Sequence, residues 1–348
     1  MKKGLAIGLC AALLLTGCAG TKAKDEKKIP SVRAEATPVV IDVDTGTDDA
    51  IALAFAKKCA GIDVRGVTVV QGCVDLRQAG ENTLAVCNHL GLDVPVALGA
   101  DRPLVGEPIT DPINHGESGL GKVELPKPKM KFSELSATEL VWQEAQACEG
   151  KLQILALGPL TNVAKALEEK PELKGMLARI VAACGTAEEG RGEFNAQNDP
   201  EALQQVLDSG VPVTLLDRQV VSCFVGSEMG LDDEGHYTST LCIAADRWPK
   251  NPLYPLYEGI GDPWLGNSLY SAYLIYWFNG EEPQNTEWSR ENNGEFYDWV
   301  SAACDIGDGP NRGSLHVEVT ESGPVCLVHR VSLSVWGDGL DEVAACYQ

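Results

Sequence analysis

The sequence predicts an α/β protein, a single domain built on a mostly parallel, doubly wound central sheet with helices on both faces. The first observation behind this prediction is order: between residues 39 and 98, short apolar stretches rich in Val alternate with stretches of helical spacing. The second is size, because roughly 310 residues follow residue 37 and 44% of the chain is hydrophobic, which suffices for one large core. Ligands of such sheets bind beyond the carboxyl ends of the strands.

The first predicted strand, residues 39–43, ends in a cluster of acids. Asp42 and Asp44 lie two residues apart and therefore on one face of the strand. A short turn follows, and the apolar residues after it have helical spacing. Asp48 and Asp49 fall in the first turn of that helix, where the helix macrodipole favours carboxylates. Four carboxylates therefore converge at one strand end.

Such a cluster calls for a positive charge, because carboxylates a few ångströms apart in a partly buried site cannot all stay ionised. Oxygen ligands alone favour a hard divalent cation, calcium or magnesium rather than zinc. An EF-hand loop is excluded, since the twelfth position counted from Asp42 is Leu53, where a bidentate Glu is needed. A solvated acidic turn that caps a helix is the alternative.

The rest of the chain continues the alternation of strands and helices. Predicted strands are residues 64–70, 94–98, 152–157, 179–183 and 211–216, with a hairpin at the sheet edge from residues 316–319 and 324–328. Predicted helices are residues 78–90 and 137–148, one that opens at 158–162 and one that starts at 199–202, while residues 101–132 form a proline-rich loop. In the helix at 78–90 we expect Ala79, Leu84, Ala85 and Leu90 to face inward.

Residues 248–299 differ in composition from the rest, because 13 of the 21 Phe, Trp and Tyr residues lie there. Tyr270, Tyr273, Tyr276 and Trp277 have helical spacing. Aromatic stripes at this spacing belong more often to a core than to a ligand site. A buried helix face and a stacking surface for a planar ligand both stay open.

The N-terminus predicts an exported lipoprotein. Two lysines precede an apolar run too short to span a membrane, and the run ends in Leu-Thr-Gly-Cys at residues 15–18. The predicted organisation is a lipoprotein signal peptide at residues 1–17, a lipidated Cys18 with a flexible tether at 18–37, and the α/β domain at 38–348. The expected location is the bacterial cell membrane, lipid-anchored on its extracytoplasmic side. An uncleaved anchor is the alternative.

The net charge and the cysteine pattern limit which molecules and metals we expect the protein to bind. The formal net charge is −22, and loss of Lys2 and Lys3 with the signal peptide would make it −24. We therefore expect no nucleic acid partner, and we expect membrane contact through the lipid alone. Ten of the 12 cysteines follow residue 18 without a Cys-x-x-Cys pair, which favours free, buried thiols over a zinc site. Disulfide pairing in an exported protein is the alternative.

Four motifs resemble the inosine-uridine-preferring nucleoside hydrolases. They are DVDTGTDDAIAL at residues 42–53, HGESGLG at 115–121, LGPLTNVA at 157–164 and EFNAQNDPEA at 193–202, in the order expected of that family. The resemblance extends over most of the chain after the tether. It implies a nucleoside hydrolase-like fold and an enzyme that cleaves the N-glycosidic bond of ribonucleosides with one tightly held Ca²⁺ as cofactor. A homo-oligomer stays open as its assembly.

The resemblance also implies roles for individual residues. The expected calcium ligands are Asp44, Asp49, the backbone carbonyl of Leu157 and the carboxylate of Asp298, for which Asp305 is a weaker alternative. The expected substrate-binding residues are Asp48 and Cys73 at the ribose, His115 over the base, and Glu193 and Asn195 at the 5′ end of the sugar. Asp42 is expected to support the site. Asp44 is placed to take a proton from metal-bound water.

Several positions depart from the family pattern. Thr45 stands where Pro is frequent, Cys73 stands where an Asn is usual, and the loop at 186–192 is short. Tyr297 precedes Asp298, where a His implicated in protonation of the leaving group is common. A neutral tyrosine is a poorer proton donor than an imidazolium, so Tyr297 in this catalytic position predicts a preference for purine nucleosides.

Two rival functions stay open. The departures favour a lipoprotein that binds a nucleoside or ribose and has lost turnover. The order Asp42-Val43-Asp44 also resembles the nucleophile loop of haloacid dehalogenase-type phosphatases, although that reading leaves the three later motifs unexplained.

Overall fold

The computed structural model describes residues 36–58, 62–121, 123–185, 193–216, 230–231, 237–238, 316–322 and 324–332. Several predictions lie outside the described residues. They concern the signal peptide, Cys18, the tether up to residue 35, the loop at 186–192, the aromatic segment at 248–299, Tyr297, Asp298 and Asp305. Thr37, the last residue of the predicted tether, is instead the buried first residue of a strand.

Strands and helices alternate along the described chain as predicted. The strands are β1 (Thr37–Val43), β2 (Ile62–Val69), β3 (Val96–Leu98), β4 (Leu152–Ala156), β5 (Leu177–Ala183), β6 (Val213–Leu216), β7 (Gly230–Leu231), β8 (Tyr237–Thr238), β9 (His316–Ser322) and β10 (Val325–Ser332). The helices are α1 (Thr47–Lys58), α2 (Leu76–Leu90), α3 (Pro112–His115), α4 (Ala137–Ala147), α5 (Thr161–Glu169), α6 (Phe194–Asn198) and α7 (Pro200–Leu207), with a 3-10 turn at Pro171–Gly175. Within the described residues, every helix falls short of the length and apolar character needed to cross a membrane.

Two strands begin later than the sequence predicts. β3 begins at Val96 rather than at residue 94, and β6 begins at Val213 rather than at residue 211. A proline precedes each strand, Pro95 in one case and Pro212 in the other. Proline has no N–H to donate to a neighbouring strand, so strand pairing starts after it.

The main sheet confirms the predicted α/β class. Its strand order is β3-β2-β1-β4-β5-β6-β10-β9, and each neighbouring pair is parallel except β10 with β9, which is antiparallel. The β9–β10 pair is the edge hairpin that the sequence predicts. β7 and β8 form a separate antiparallel pair.

The direction in which the chain adds strands reverses between β1 and β4. From β1 the chain passes to β2 and β3 on one side, and from β4 it passes to β5 and β6 on the other. β1 pairs with β4 up to Asp42↔Ala156, so the carboxyl ends of the two strands lie side by side. Such a switch point leaves a crevice at the sheet edge, because the two connections leave in opposite directions. The acid cluster begins there.

Both faces of the sheet are covered, as a doubly wound sheet requires. On one face Val40, Ile154 and Ile180 belong to a core cluster with residues of α4, α5 and α7. The side chains of Val39 and Ile41, which alternate with that set along β1, are also fully buried. Each fully buried apolar side chain of this size stabilises the fold by about 1.5–3 kcal/mol, so the strands that carry the acids are firmly held.

Helix α2 buries two of the four apolar side chains that were predicted to face inward, Ala79 and Leu84. Ala85 and Leu90 are only partly buried, which corrects their predicted inward positions. Asn82 and Thr83 are buried instead. A search for apolar spacing passes over buried polar residues, and both of these side chains make hydrogen bonds to the turn after β1.

The structure describes the side chains of four cysteines, Cys73, Cys87, Cys148 and Cys184, and all four are free. Cys148 is partly exposed, and the other three are buried. The prediction of free, buried thiols is thus confirmed at three positions, whereas Cys148 is free but only partly buried.

Candidate active site

The predicted acids lie where β1 ends and α1 begins. Asp42 is the second-last residue of β1, and Asp44 directly follows the strand. Asp48 and Asp49 occupy the first turn of α1. The exposed fraction is 1% for Asp42, 5% for Asp44 and 1% for Asp49. Asp48 is only partly buried. Among these four acids, Asp48 is therefore the one most accessible to a molecule that arrives from solvent.

Asp44 is held by the loop that follows β2. The Cys73 N–H donates to Asp44 Oδ2 at 2.6 Å, and the Cys73 thiol donates to the Asp44 backbone carbonyl at 3.1 Å. Two glycines leave room for the carboxylate: a Cβ on Gly72 would lie 2.6 Å from Asp44 Cβ, and one on Gly158 would lie 2.9 Å from Asp44 Oδ1. Asp44 is therefore wedged between the chain segments that leave β2 and β4.

Burial and mutual repulsion shift the pKa values of two of these acids upward. Burial and the neighbouring charge of Asp48 raise the pKa of Asp44, which also makes a hydrogen bond with Asp49. Burial raises the pKa of Asp42 to about 7. A cation bound beside these carboxylates would favour their ionised forms.

Leu157 adds a backbone oxygen to the site. Its N–H donates to the Asp42 carbonyl at 2.8 Å, which extends the β1–β4 pairing by one residue. Its carbonyl accepts from Asn195 Nδ2 at 2.8 Å, and the same Nδ2 donates to the Ala183 carbonyl at 2.9 Å. Asn195 thus ties the ends of β4 and β5 together beside the acids.

The donor set of this site fits a hard cation. In the part of the chain that the structure describes, no group of three or more His, Cys, Asp or Glu side chains has the arrangement of a complete metal site. The described oxygens, two carboxylates from Asp44 and Asp49 and the Leu157 carbonyl, are the ligand type that Ca²⁺ prefers. The predicted further carboxylate, Asp298, lies outside the described residues.

Glu193 is engaged by the backbone. Its carboxylate accepts from the N–H groups of Asn195 and Ala196 at 2.9 Å each and from the Gly185 N–H at 3.0 Å, so it caps α6. Burial raises the pKa of Glu193, and the three N–H donors act against that rise. The contact of Glu193 with the sugar stays a prediction.

His115 lies against the first turn of α1. Its Nδ1 lies 3.3 Å from the Thr47 N–H nitrogen and 3.1 Å from Thr47 Oγ1. Because an N–H can only donate, Nδ1 is the acceptor and the ring proton sits on Nε2. Asp48 Oδ1 lies 3.7 Å from Nδ1, a pair that carries opposite charges only when the ring is protonated. His115, predicted to lie over the base, and Asp48, predicted to bind the ribose, are therefore neighbours.

The sequence assigned no role to Asn162, which connects the two halves of the sheet. From the first turn of α5 its Nδ2 donates to Asp42 Oδ1 at 2.7 Å and to the Val69 carbonyl at 3.0 Å, while its Oδ1 accepts from the Ala100 N–H at 2.8 Å. Thr68 donates to the same Asp42 Oδ1 at 2.6 Å. The feature of the sequence that could have indicated a role for Asn162 is its polar side chain on an otherwise apolar face of the predicted helix.

The turn after β1 has partners on α2 that were also missed. Thr83 Oγ1 donates to the Ala79 carbonyl at 2.7 Å, so in its 2.6 Å contact with Thr45 the Thr45 hydroxyl is the donor. Asn82 Nδ2 donates to the Thr45 carbonyl at 3.1 Å. Thr45, where the family pattern often has Pro, is thus well accommodated.

Comparisons with known proteins agree with this geometry. The model of the inosine-uridine preferring nucleoside hydrolase family matches residues 39–266, well over half of the chain. The chain is 36% identical over 203 residues to Uridine nucleosidase 1 of Arabidopsis thaliana, which covers 56% of this chain and 59% of that protein. It is 37% identical over 185 residues to the pyrimidine-specific ribonucleoside hydrolase RihA of Escherichia coli, which covers 52% of this chain and 60% of RihA. The chain therefore spans less than two thirds of the length of these curated relatives.

A solved structure shows the same fold. An inosine-guanosine nucleoside hydrolase superposes with a TM-score of 0.62 at 21% identity, and the match covers 89% of this chain and 98% of that one. This superposition shows a shared fold, and the family match confirms the resemblance that the four motifs predict. The chain belongs to the inosine-uridine preferring nucleoside hydrolase family.

Proposed function

We propose that the protein hydrolyses the N-glycosidic bond of ribonucleosides, with Ca²⁺ as its cofactor, and releases ribose and a free base. The observation that carries the proposal is the acid cluster at the switch point, where buried Asp44 and Asp49, the partly exposed Asp48 and the Leu157 carbonyl meet. Membership of the nucleoside hydrolase family supports it.

The reaction requires features that these residues can supply. Cleavage of a bond between a sugar and a base nitrogen passes through an oxocarbenium-like sugar, which nearby negative charge stabilises. Asp44, Asp49, the Leu157 carbonyl and Asp298 would hold the cation. When bound, Ca²⁺ makes a coordinated water easier to deprotonate and can chelate sugar hydroxyls.

Asp44 is the proposed general base. Its Oδ2 is engaged by the Cys73 N–H, and its Oδ1 lies on the side of Gly158, next to the residue whose carbonyl is a proposed ligand. Oδ1 is therefore the oxygen we expect to accept the proton of the attacking water. Asp48, the accessible acid, would hold a ribose hydroxyl, and His115 beside it would contact the base.

The finer proposal is a preference for purine nucleosides. Tyr297, with a reference pKa near 10, would protonate a leaving group poorly at neutral pH. Purines can accept a proton at a ring nitrogen from solvent, whereas pyrimidines leave with difficulty without a donor. A pyrimidine preference is the competing candidate, because the two relatives named above are a uridine nucleosidase and a pyrimidine-specific hydrolase.

Product analysis with a panel of substrates tests these proposals together. With Ca²⁺ present we expect ribose and base from inosine and adenosine, slower release from uridine, and rapid cleavage of p-nitrophenyl riboside, whose leaving group needs no proton. A calcium chelator should stop release and added Ca²⁺ should restore it. The Tyr297→Phe variant should leave p-nitrophenyl riboside cleavage unchanged, and a variant that is unchanged on every substrate would remove Tyr297 from the mechanism.

Each contrary outcome has a defined meaning. Uridine cleaved as fast as inosine would refute the purine preference. Full activity in excess chelator would refute the calcium requirement. Nucleoside binding by calorimetry without release of base would replace the enzyme by the alternative function, a nucleoside- or ribose-binding lipoprotein on the same fold.

We also propose that Cys18 carries lipid and anchors the protein at the bacterial cell membrane, on the basis of the Leu-Thr-Gly-Cys sequence that ends the apolar run. Two or three acyl chains would anchor the protein stably, whereas one would be marginal. Cys18→Ser should therefore move the protein from the membrane fraction to the soluble fraction after cell lysis. Retention of Cys18→Ser in the membrane fraction would favour an uncleaved anchor.

A further inference from the structure

We infer that Asn82 is a positioning residue that sets the spacing between the acid-bearing turn after β1 and the loop that carries His115. Asn82 lies in the middle of α2 and is 5% exposed. Its Nδ2 donates in two directions, to the Thr45 carbonyl at 3.1 Å and to the Ser118 carbonyl at 2.8 Å. One amide group therefore connects the turn that holds the acids with residues 115–121, which we call the His115 loop.

The orientation of the Asn82 amide is fixed by its own helix. Gln78 Nε2, one turn earlier, donates to Asn82 Oδ1 at 2.9 Å, which leaves Nδ2 for the two loops. The helix is itself anchored at its start, where Asp75 Oδ1 accepts from the Gln78 N–H at 3.0 Å. A rigid element thus presents both donors.

The His115 loop is held together by its own backbone hydrogen bonds and is in contact with Asn82. The Gly121 N–H donates to the His115 carbonyl at 2.9 Å, and the Gly119 N–H donates to the Gly116 carbonyl at 3.1 Å. Gly119, with φ +81°, lies directly against Asn82: a Cβ there would lie 2.9 Å from Asn82 Nδ2. Release of Ser118 from Asn82 would therefore also displace His115.

The kinetic consequence rests on the proposed function. In that function the acid turn holds the metal and the sugar, and the His115 loop holds the base. Asn82 therefore connects the two chain segments that bind opposite ends of the substrate. A loosened loop weakens the grip on the base without altering the carboxylates. We therefore expect loss of Asn82 to act mainly on KM.

The test compares two variants of Asn82 with a matched control. Asn82→Asp keeps the acceptor for Gln78 but removes both donors, and Asn82→Leu removes the donors without adding charge. Asn88→Asp makes the same chemical change on the same helix, where Asn88 Oδ1 accepts from the Lys129 N–H at 3.1 Å, a contact that a carboxylate can keep. Gln78→Ala, at a partly exposed position, disturbs only the orientation of Asn82.

Two measurements are needed, the kinetics of base release and hydrogen exchange of the backbone amides in residues 115–121. Both Asn82 variants should raise KM about tenfold, leave kcat within about threefold and speed exchange in the His115 loop about tenfold or more. This is expected when the buried Thr45 carbonyl and the partly buried Ser118 carbonyl lose their donor. Gln78→Ala should shift both measurements in the same direction by less. Asn88→Asp should match the unmodified protein in both.

The outcomes separate the possible failures. Unchanged exchange in the His115 loop of Asn82→Leu would overturn the inference, as would an effect of Asn82→Asp that Asn82→Leu lacks, since charge would then be its cause. A tenfold fall of kcat with unchanged KM in the Asn82 variants would also overturn the inference. If both Asn82 variants fail to fold, Gln78→Ala decides: unchanged exchange and KM there would refute the inference. If the unmodified protein cleaves no nucleoside, the proposed function fails, and the exchange measurement still tests Asn82.

Discussion

Asp44→Asn is expected to lower kcat for nucleoside hydrolysis by about a thousandfold, since an amide can neither accept the proton of water nor compensate a cation. Calcium affinity, measured by calorimetry, should fall with it. The fold should survive, because the amide oxygen can still accept from the Cys73 N–H that now donates to Asp44 Oδ2. Burial raises the pKa of Asp44, so a neutral group there should leave the metal-free protein at least as stable.

The matched control is Asp63→Asn. Asp63 lies on β2 with its side chain 48% exposed and pairs with Arg65 at the surface. The same chemical change there should leave kcat and calcium affinity unaltered, since exposed ion pairs contribute little. An Asp44→Asn enzyme that keeps a tenth or more of the wild-type kcat would remove Asp44 from its proposed role as base.

Gly72→Ala is expected to lower kcat about a hundredfold or more, because the carboxylate of Asp44 must then leave the position in which it can act. The added Cβ would overlap the Asp44 side chain, whose own Cβ would be only 2.6 Å away. The space is closed on the far side by the segment after β4, where a Cβ on Gly158 would be 2.9 Å from Asp44 Oδ1. Overpacking of this kind should also lower the free energy of unfolding by about 1–3 kcal/mol.

Gly175→Ala provides the comparison. A Cβ on Gly175 meets nothing within 4 Å, and its φ is not in the left-handed region. Its free energy of unfolding in denaturant should stay within about 0.5 kcal/mol of wild type, as for most surface changes. Wild-type kcat and calcium affinity in Gly72→Ala would show that Asp44 does not depend on this close contact.

The positions of the strands and helices could be predicted from the sequence, but the order in which the strands pair in the sheet could not. Strands buried on both faces are short, continuous apolar runs, which is why β1, β4 and β5 were located within about two residues. Periodicity carries no information about which strands pair. The reversal between β1 and β4 became predictable only through the resemblance to a family.

The site divides in the same way. Asp44, Asp48 and Asp49 were predictable because charged residues directly after an apolar strand are unusual. Asn82 and Asn162 were not, since each acts through backbone carbonyls or another side chain that lie far away in sequence. Cys73 was predicted to contact the sugar, and the structure places its thiol on the Asp44 carbonyl, a bond that depends on the path of the backbone.

The pairing of β1 with β4 joins segments more than a hundred residues apart in the chain. Contacts between distant segments form slowly, because the entropy lost in closing the intervening loop must be recovered by the contacts made afterwards. The acid turn belongs to β1 and the Leu157 carbonyl follows β4, so neither strand alone can assemble the site. We expect the proposed cation-binding oxygens to come together only late in folding, after β4 has been synthesised and has paired. If Ca²⁺ binds there as proposed, it should slow the separation of these two strands in the finished protein.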